Sequence, residues 1–411
     1  MMSTKNLMSD CVIIGGGAAG LLAAATASER GRSVIILEPM ERPGRKLRIT
    51  GKGRCNVTNA CEDRQFFSSV CTNPKFLRSA YYAFPPNAVM EYFESLGVPL
   101  KTERGGRVFP ISDRAEDIVD ALVRNCRRLN VKIIRDRAQS ITFSSGMISG
   151  VQGNNSFYPC HSVLIATGGL SYPATGSTGD GFDIANSLGH RIVPLRPSLV
   201  PFETDDFCPM AQGLSLRNVT LSLYDGNKKV YSDLGEILFT HFGISGPLAL
   251  TASTYIKTSP DKYKMELDLK PALSEEKLDE RILRDFSENS NRDFRNSLDQ
   301  LLPQKLIPII INLSGINEHT KVNSVTRAQR LNLVHILKHF QIHATAFRPW
   351  SEAIITSGGV DVNEINPRSM ESKIIPGLFF AGEVIDCDAV TGGFNLQIAW
   401  STAHLAGEKM G

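Results

Sequence analysis

The sequence predicts an α/β protein in two parts. A parallel sheet wound by helices is split between the two ends of the chain, and an antiparallel β-barrel with a small helical bundle is inserted between its halves. Three observations carry this. A strand, a glycine turn, a helix and a second strand follow one another over residues 11–38; the texture changes near residue 195 to short alternating strands; and from Arg348 the first texture returns. The expected divisions are residues 1–195 with 348–411 for the split domain and 196–347 for the insert, with the barrel at about 196–272 and the bundle at about 273–345.

The first unit begins with the apolar run Cys11-Val12-Ile13-Ile14, followed by Gly15-Gly16-Gly17-Ala18-Ala19-Gly20. Gly15 allows the tight turn, Gly17 lets the backbone approach a pyrophosphate, and Gly20 lets the helix pack close on the strand. An Ala- and Leu-rich helix follows, its N-terminus offering unpaired N–H groups, Ala18 and Ala19 among them, to phosphate oxygens. Ser33 to Leu37 reads as the second strand, and Glu38 ends it where a carboxylate can accept from ribose hydroxyls. Strand, helix and acid around the glycines lift the motif above a lone GxGxxG, and the unit suits FAD or NAD equally.

Composition bounds the rest. The chain has 411 residues, enough for two or three domains, and a hydrophobic fraction of 42%, ordinary for a globular protein. A net charge of +3 is too small to argue for nucleic acid or a membrane surface. No apolar run approaches the roughly 18 residues of a membrane helix, and Met1 to Asp10 lacks the apolar core of a signal peptide. The eight cysteines are scattered with no CxxC pair, so a reducing, cytoplasmic setting is expected and a thiol–disulfide relay or zinc ribbon is not.

After Glu38, the stretch from Pro43 to Asn59 is too polar and glycine-rich for a core element and reads as a loop that follows the ligand. In it Arg45, Lys46 and Arg54 can neutralise phosphate charge, Asn56 can hydrogen-bond, and glycines such as Gly53 permit close backbone approach. Helices are expected on both sides of Pro85-Pro86, and from Arg114 to Leu129 after an Asp113 cap. Val131–Ile134 and Ile141–Phe143 read as strands with Ser144-Ser145-Gly146 as their turn. Ser162 to Ala166 is a strand ending in Thr167-Gly168-Gly169, a second glycine turn aimed at the same cleft. Its following glycines are spaced GxxGxG, so the chain holds no second dinucleotide fingerprint.

In the insert, Asp225-Gly226 is a hairpin signal, with Val219–Leu223 before it and a return strand starting at Val230. Ser274 caps a helix whose expected face is Leu278, Ile282, Leu283 and Phe286. His335, His339 and His343 fall at i, i+4 and i+8 on a helical face; with no carboxylate or cysteine cluster in view, no metal site is expected. Near the C-terminus, Leu378 to Ala381 is a buried strand ending in Gly382-Glu383, and Gly393 opens a small-residue helix.

These signals together resemble the two-dinucleotide-binding-domain flavoproteins, which include glutathione reductase and the fumarate reductase flavoprotein subunit. Gly53-Arg54-Cys55-Asn56-Val57-Thr58-Asn59, the stretch from Phe239 to Pro247 and Thr391-Gly392-Gly393-Phe394-Asn395-Leu396-Gln397 resemble the HI0933/YhiN-like flavoprotein family. That family is also called aminoacetone oxidase-like or BaiN-like NAD(P)/FAD-dependent oxidoreductases. The resemblance spans nearly the whole chain; one departure is Lys52, where the family more often has glycine. It implies a discontinuous, Rossmann-like FAD-binding domain and non-covalent FAD. Glu38 is then expected at the AMP ribose, Arg45, Lys46 and Arg54 to Asn56 along the cofactor's middle and ring, and Ala138 at the adenine. The backbone N–H groups near Asn395, Leu396 and Gln397 are expected to face the N1/O2 side of the flavin.

The function expected is an FAD-dependent oxidoreductase that moves a hydride between NAD(P)H and a small organic substrate. The alternatives are a flavin oxidase acting on a small amine with O2, and a flavin-bearing binding or RNA-associated protein without turnover. His241, in the inserted barrel, is the best candidate for a proton donor or acceptor, weighed evenly against a structural histidine.

Overall fold

The computed structural model describes residues 8–205 and 207–411, so the reading of residues 1–7 as free of an apolar leader lies outside the described residues. The chain divides into two compact units, Met1–Ser198 with Trp350–Gly411, and Leu199–Pro349. Strand Ile192–Ser198 pairs antiparallel with Ile355–Val360, which keeps both segments in the first unit.

Five strands of the first unit run parallel in the order Lys132–Ile134, Val34–Leu37, Ser9–Ile14, Phe157–Ile165, Leu378–Phe380. Apart from the edge strand Lys132–Ile134 and the first half of Phe157–Ile165, their apolar, β-branched sequences are buried on both faces, as a sheet covered by helices on each side requires. The first half of Phe157–Ile165 pairs antiparallel with Met147–Gly153, which pairs in turn with Ala138–Ser144. The turn at Ser145-Gly146 therefore joins these two strands, and Lys132–Ile134 belongs to the parallel sheet instead.

Helix Ala18–Glu29 is apolar nearly all round and buried nearly all round. It packs against the C-terminal helix Phe394–Lys409, and the approach is close because both surfaces are built of small residues: a methyl on Gly407 would fall 2.7 Å from the Ala23 carbonyl oxygen. Helix Ala115–Arg128 buries Ile118, Val119 and Leu122. Its cap position is Arg114 with no side-chain cap, and Asp113 instead turns its carboxylate to Arg54 and Lys101. The glycine- and arginine-rich stretch after Glu38 is not wholly a loop. Arg45–Ile49 forms a short helix that starts at Gly44, whose left-handed backbone (φ +72°) aims its N–H at the Gly16 carbonyl, 2.9 Å away.

The second unit holds a seven-stranded antiparallel sheet. One stretch, 340–347, interrupted at His343, supplies both edges: Phe340–Ile342 pairs with Tyr263–Asp268, and Ala344–Phe347 with Phe202–Thr204. The sheet thus closes on itself as a barrel around Phe202, Leu221, Phe239, Ile244 and Met265. Lys228–Phe239 is one continuous strand rather than a return strand followed by another. Helices Glu275–Glu288, Ile307–Ser314 and Arg327–Lys338 form the attached bundle and share the barrel's core. Ser274 caps the first of these as expected, but Leu283 is 44% exposed, because the buried face is Leu278, Ile282 and Phe286 at strict four-residue spacing.

Candidate functional site

The parallel strands of the first unit all end on one edge. Past the strand ends the ladder continues for one residue: Gly15 N–H donates to the Leu37 carbonyl (2.9 Å), Ala166 N–H to Ile14 (2.9 Å), Ala381 N–H to Ile165 (3.2 Å) and Glu38 N–H to Ile134 (3.0 Å). Gly15–Gly17, Thr167-Gly168-Gly169 and Gly382-Glu383 leave the sheet at that edge, side by side. From the strand Ser9–Ile14 the chain moves one way to Val34–Leu37, while Phe157–Ile165 lies on the other side. This reversal of strand order opens a crevice outside the carboxyl ends of the strands, where α/β sheets bind their ligands.

Gly15 has φ +105°, and a methyl there would fall 2.6 Å from the Ala166 carbonyl oxygen. Gly17 differs. A methyl on it would meet nothing within 4 Å, so the protein leaves that space open. Gly17 caps helix Ala18–Glu29 without a side-chain acceptor, and the first intrahelical bond runs from Leu21 N–H to Gly17 (3.0 Å). The N–H groups of Ala18, Ala19 and Gly20 therefore have no partner within the helix, and no acid occupies its first turn. This is a positive helix end suited to a phosphate anion.

Glu38 stands beside the turn. Its carboxylate accepts from Gly16 N–H (2.8 Å) and Met40 N–H (2.8 Å), which fixes its orientation. Burial pushes its carboxyl pKa up from the usual carboxylate value, while those two N–H groups and the Arg45 and Arg137 charges pull it back down. Each carboxylate oxygen keeps a lone pair free for a further donor. Arg45 itself is exposed.

Lys46 ties the turns together. Its ammonium donates to Glu383 (2.5 Å) and to the Ser171 hydroxyl (2.5 Å). Glu383 also accepts from Ser171 (2.8 Å) and from Thr356 N–H (2.9 Å). Four segments are thus joined at one carboxylate. Ser171 and Thr356 are members of this network that sequence reasoning missed.

Other residues lie differently. Arg54 gives its guanidinium to Glu103 and Asp113 and stacks over the Phe109 ring at 4.1 Å. Cys55 turns its thiol into the core, where burial raises its pKa to about 12, and Gly53 is exposed at φ +83°. Ala138 begins a strand and pairs with Gly153. Gly393 (φ +97°) caps the C-terminal helix without a side-chain acceptor; a methyl there would fall 2.4 Å from the Thr58 carbonyl oxygen. The Gln397 N–H is used by the Gly393 carbonyl (3.0 Å), so the helix's partnerless donors are those of Phe394, Asn395 and Leu396. The Gln397 side chain is fully buried, bonded to Thr58 and Phe84. Asn395 fastens the preceding loop through Ala389.

The donor set suits a long, anionic nucleotide cofactor on three further counts. The open volume at Gly17 is the one a pyrophosphate needs. Two uncapped helix ends supply N–H donors. Two buried side-chain atoms, Thr167 Oγ1 and Asn56 Oδ1, have no hydrogen-bond partner among the described residues.

His241 lies in the second unit, exposed, with its ring edge-on to Phe242, over which the Arg348 guanidinium stacks. Of the three spaced histidines, only His335 is within a helix. Arg327–Lys338 ends before His339, and His343 interrupts the barrel-closing strand and contacts Asp205 (2.7 Å). A carboxylate does accompany the first two, since the fold brings Glu275 to them.

A Rossmann-type sheet with this fingerprint and carboxyl-edge crevice defines a dinucleotide-binding fold, and the family match makes it the FAD-binding fold of a flavoprotein oxidoreductase. More particularly, the chain belongs to the HI0933-like family: the model of the HI0933-like protein Rossmann domain matches residues 9–409. It is 33% identical over 403 residues to a ribosomal RNA dihydrouridine synthase of Haemophilus influenzae, covering 96% of this chain and 97% of that one. It is 31% identical over 403 residues to a 3-dehydro-bile acid delta(4,6)-reductase of Clostridium scindens, with the same coverage of each. Among solved structures, the 3-ketosteroid delta1-dehydrogenase of Sterolibacterium denitrificans shares the fold, with a TM-score of 0.51 at 11% identity over 97% of this chain and 98% of that one. Among the described residues, no helix is long and apolar enough to cross a membrane.

Proposed function

We propose that this protein is an FAD-dependent reductase that uses NAD(P)H to saturate a carbon–carbon double bond conjugated with a carbonyl in a small organic substrate. The observation that supports it most is the uncapped helix end at Ala18–Gly20 with open space at Gly17 and the Glu38 carboxylate beside it. Ala18, Ala19 and Gly20 would hold the pyrophosphate, Glu38 the AMP ribose, and Phe394 to Leu396 would direct N–H donors at the flavin's N1/O2 side. Thr167 and Asn56 would satisfy their buried oxygens on the cofactor. The Lys46–Glu383–Ser171 network would keep the three turns in register beneath it. FAD bound here supplies hydride transfer. His241 is proposed as the proton donor to the substrate.

The substrate class rests on the relatives. A dihydrouridine synthase and a delta(4,6)-reductase both bear names for adding hydrogen across a double bond. The dihydrouridine name favours a second reading, in which the reduced base belongs to RNA. The eight cysteines, all free of disulfides, support a reducing, cytoplasmic setting.

Acid release of the cofactor from the purified protein, with chromatographic identification, comes first; FMN, or no flavin after refolding with excess FAD, would end the reading. Anaerobic mixing with NADH or NADPH should then bleach the flavin, and a panel of enones, quinones, amines and uridine-containing RNA should restore its colour selectively. Reoxidation by enones supports the reading. Rapid peroxide formation with an amine would replace it by an oxidase, and reoxidation by RNA alone would establish the second reading.

A further inference from the structure

Within the second unit, Glu275, His335 and His339 bring three ligand atoms to within 4.8 Å of one another. They come from both ends of the bundle's helix pair. Glu275 is the first residue of helix Glu275–Glu288. His335 lies in the last turn of helix Arg327–Lys338, and His339 caps that helix's C-terminus. The two helices are clamped in register by Arg330, which donates to both oxygens of Asp279 (2.6 and 3.2 Å).

His339 is held at both nitrogens. Its Nδ1 lies 3.4 Å from Glu266 Oε2, and its Nε2 lies 3.3 Å from Glu275 Oε1. That same Glu266 oxygen also accepts from the Gln341 amide (3.0 Å) and lies 3.2 Å from the Lys264 ammonium, which fixes the carboxylate. A carboxylate on Nδ1 is the arrangement that fixes a metal-ligating histidine: it keeps the proton on that nitrogen and turns the Nε2 lone pair outward. His339 Nε2 faces a second carboxylate and the neighbouring imidazole, with the His335 and His339 ring centroids 4.7 Å apart. A divalent cation placed between them would be held by both acceptors. Two ligands at tetrahedral positions about 2.0–2.2 Å from a zinc ion stand about 3.3–3.5 Å apart, and the observed His339–Glu275 separation is 3.3 Å. His335 and Glu275 are exposed, so their side chains are free to complete the site.

We propose that Glu275, His335 and His339 form a binding site for a divalent transition metal of zinc type, with Glu266 as the positioning carboxylate on His339. Two imidazoles and one carboxylate suit Zn2+ or Co2+ rather than Ca2+ or Mg2+, which take oxygen ligands. Three protein ligands leave at least one coordination position to water. The metal would pin the start of one bundle helix to the end of the other, beside the strand that carries Glu266.

The test uses the full chain with its flavin, stripped of metal by a chelator. Titration with Co2+, followed by its visible ligand-field bands, and with Zn2+ by calorimetry, should show one equivalent bound. Glu275→Gln, His335→Ala and His339→Ala should each weaken binding by about 100-fold, and Glu266→Gln by about 10-fold, the scale of outer-shell losses. Zinc should raise the melting temperature of the wild type and not of the His335→Ala/His339→Ala double variant. All four side chains are at least partly exposed, so the variants should fold, and their flavin content reports this independently. Absence of one-equivalent binding in the wild type would overturn the proposal. So would unchanged affinity in the double variant, which would place the metal elsewhere and leave His339 a hydrogen-bonded link between two carboxylates.

Discussion

Replacing Gly17 by alanine separates the cofactor from the fold. Gly17 has φ −81° and ψ −164°, an extended conformation open to any residue, and its added methyl meets no protein atom within 4 Å. The apo-protein should therefore tolerate Gly17→Ala and gain about 0.4–1 kcal/mol, because alanine has fewer unfolded conformations to lose. FAD should not tolerate it. The methyl would stand in the space proposed for the pyrophosphate, at an overpacking cost of about 1–3 kcal/mol. It would also hold the phosphates off the Ala18 and Ala19 N–H groups, each charge-assisted bond contributing about 1.5–3 kcal/mol. Loss of one such bond together with the clash gives about 2.5–6 kcal/mol, or about 60-fold or more in Kd. Gly17→Val should be worse. The control is Gly20→Ala, whose methyl would lie 1.9 Å from the Gly15 carbonyl oxygen and should damage the apo-protein itself. The assay is FAD titration of stripped protein by quenching of flavin fluorescence, beside urea unfolding of the same apo-proteins. If Gly17→Ala bound FAD with wild-type affinity, the pyrophosphate would not lie against this turn and the site assignment would fall.

Glu38→Ala should weaken FAD binding by about 1.5–3 kcal/mol, the scale for hydrogen bonds to a charged acceptor; calorimetry showing no change would move the ribose elsewhere. Burial holds the Glu38 carboxyl pKa above its ordinary value, so as pH falls the free protein takes up a proton there earlier than an ordinary carboxylate would, and ribose binding to the carboxylate must expel it. FAD affinity should therefore fall as pH drops through that raised pKa, while Glu38's contribution to apo stability moves oppositely and rises. A pH titration of Kd in wild type and Glu38→Ala checks this, since the variant should lose the dependence. Lys52 is exposed with φ +59° and ψ +41°, a left-handed conformation costing about 1–2 kcal/mol for a residue with a side chain. Allowing for glycine's extra unfolded-state entropy of about 0.5–1 kcal/mol, Lys52→Gly should stabilise the protein by about 0.5–1 kcal/mol; an unmoved urea midpoint would refute this. His241→Ala should retain FAD affinity and stability but lower substrate turnover by about 10²-fold. Stopped-flow traces with equal substrate half-reactions in wild type and variant would leave His241 a structural residue.

The parts legible in the sequence are those where a short-range rule decides the structure. The run from Cys11 to Glu38 is one such part: a β-branched strand, a turn that only glycine can make at Gly15, and a helix of small residues. The left-handed backbone at Lys52 gives a physical reason to expect glycine there. The Lys46–Glu383 pair was not legible, although both residues stood out singly. They are 337 residues apart, and only the shared carboxyl edge of the sheet brings them together. Gln397 shows a subtler limit. Helix position alone suggests an N–H turned to a ligand, but the helix begins one residue too early, at Phe394, for that N–H to be free.

The spaced histidines show how a periodic pattern can mislead and still mark something. Spacing of four suggests one helical face from His335 to His343, but the helix stops at Lys338 because Phe340 must pair with Leu267 in the barrel. The chain turns at His339 (φ −129°, ψ +47°) to enter that strand. The turn removes His343 from the face and delivers it to Asp205. It also swings the His339 ring between Glu266, on the adjacent strand, and Glu275, at the start of another helix. Sequence reading found no carboxylate here because Glu275 is 64 residues from His339. What breaks the helical pattern is therefore what assembles the cluster: the strand pairing that ends the helix also sets Glu266 beside His339.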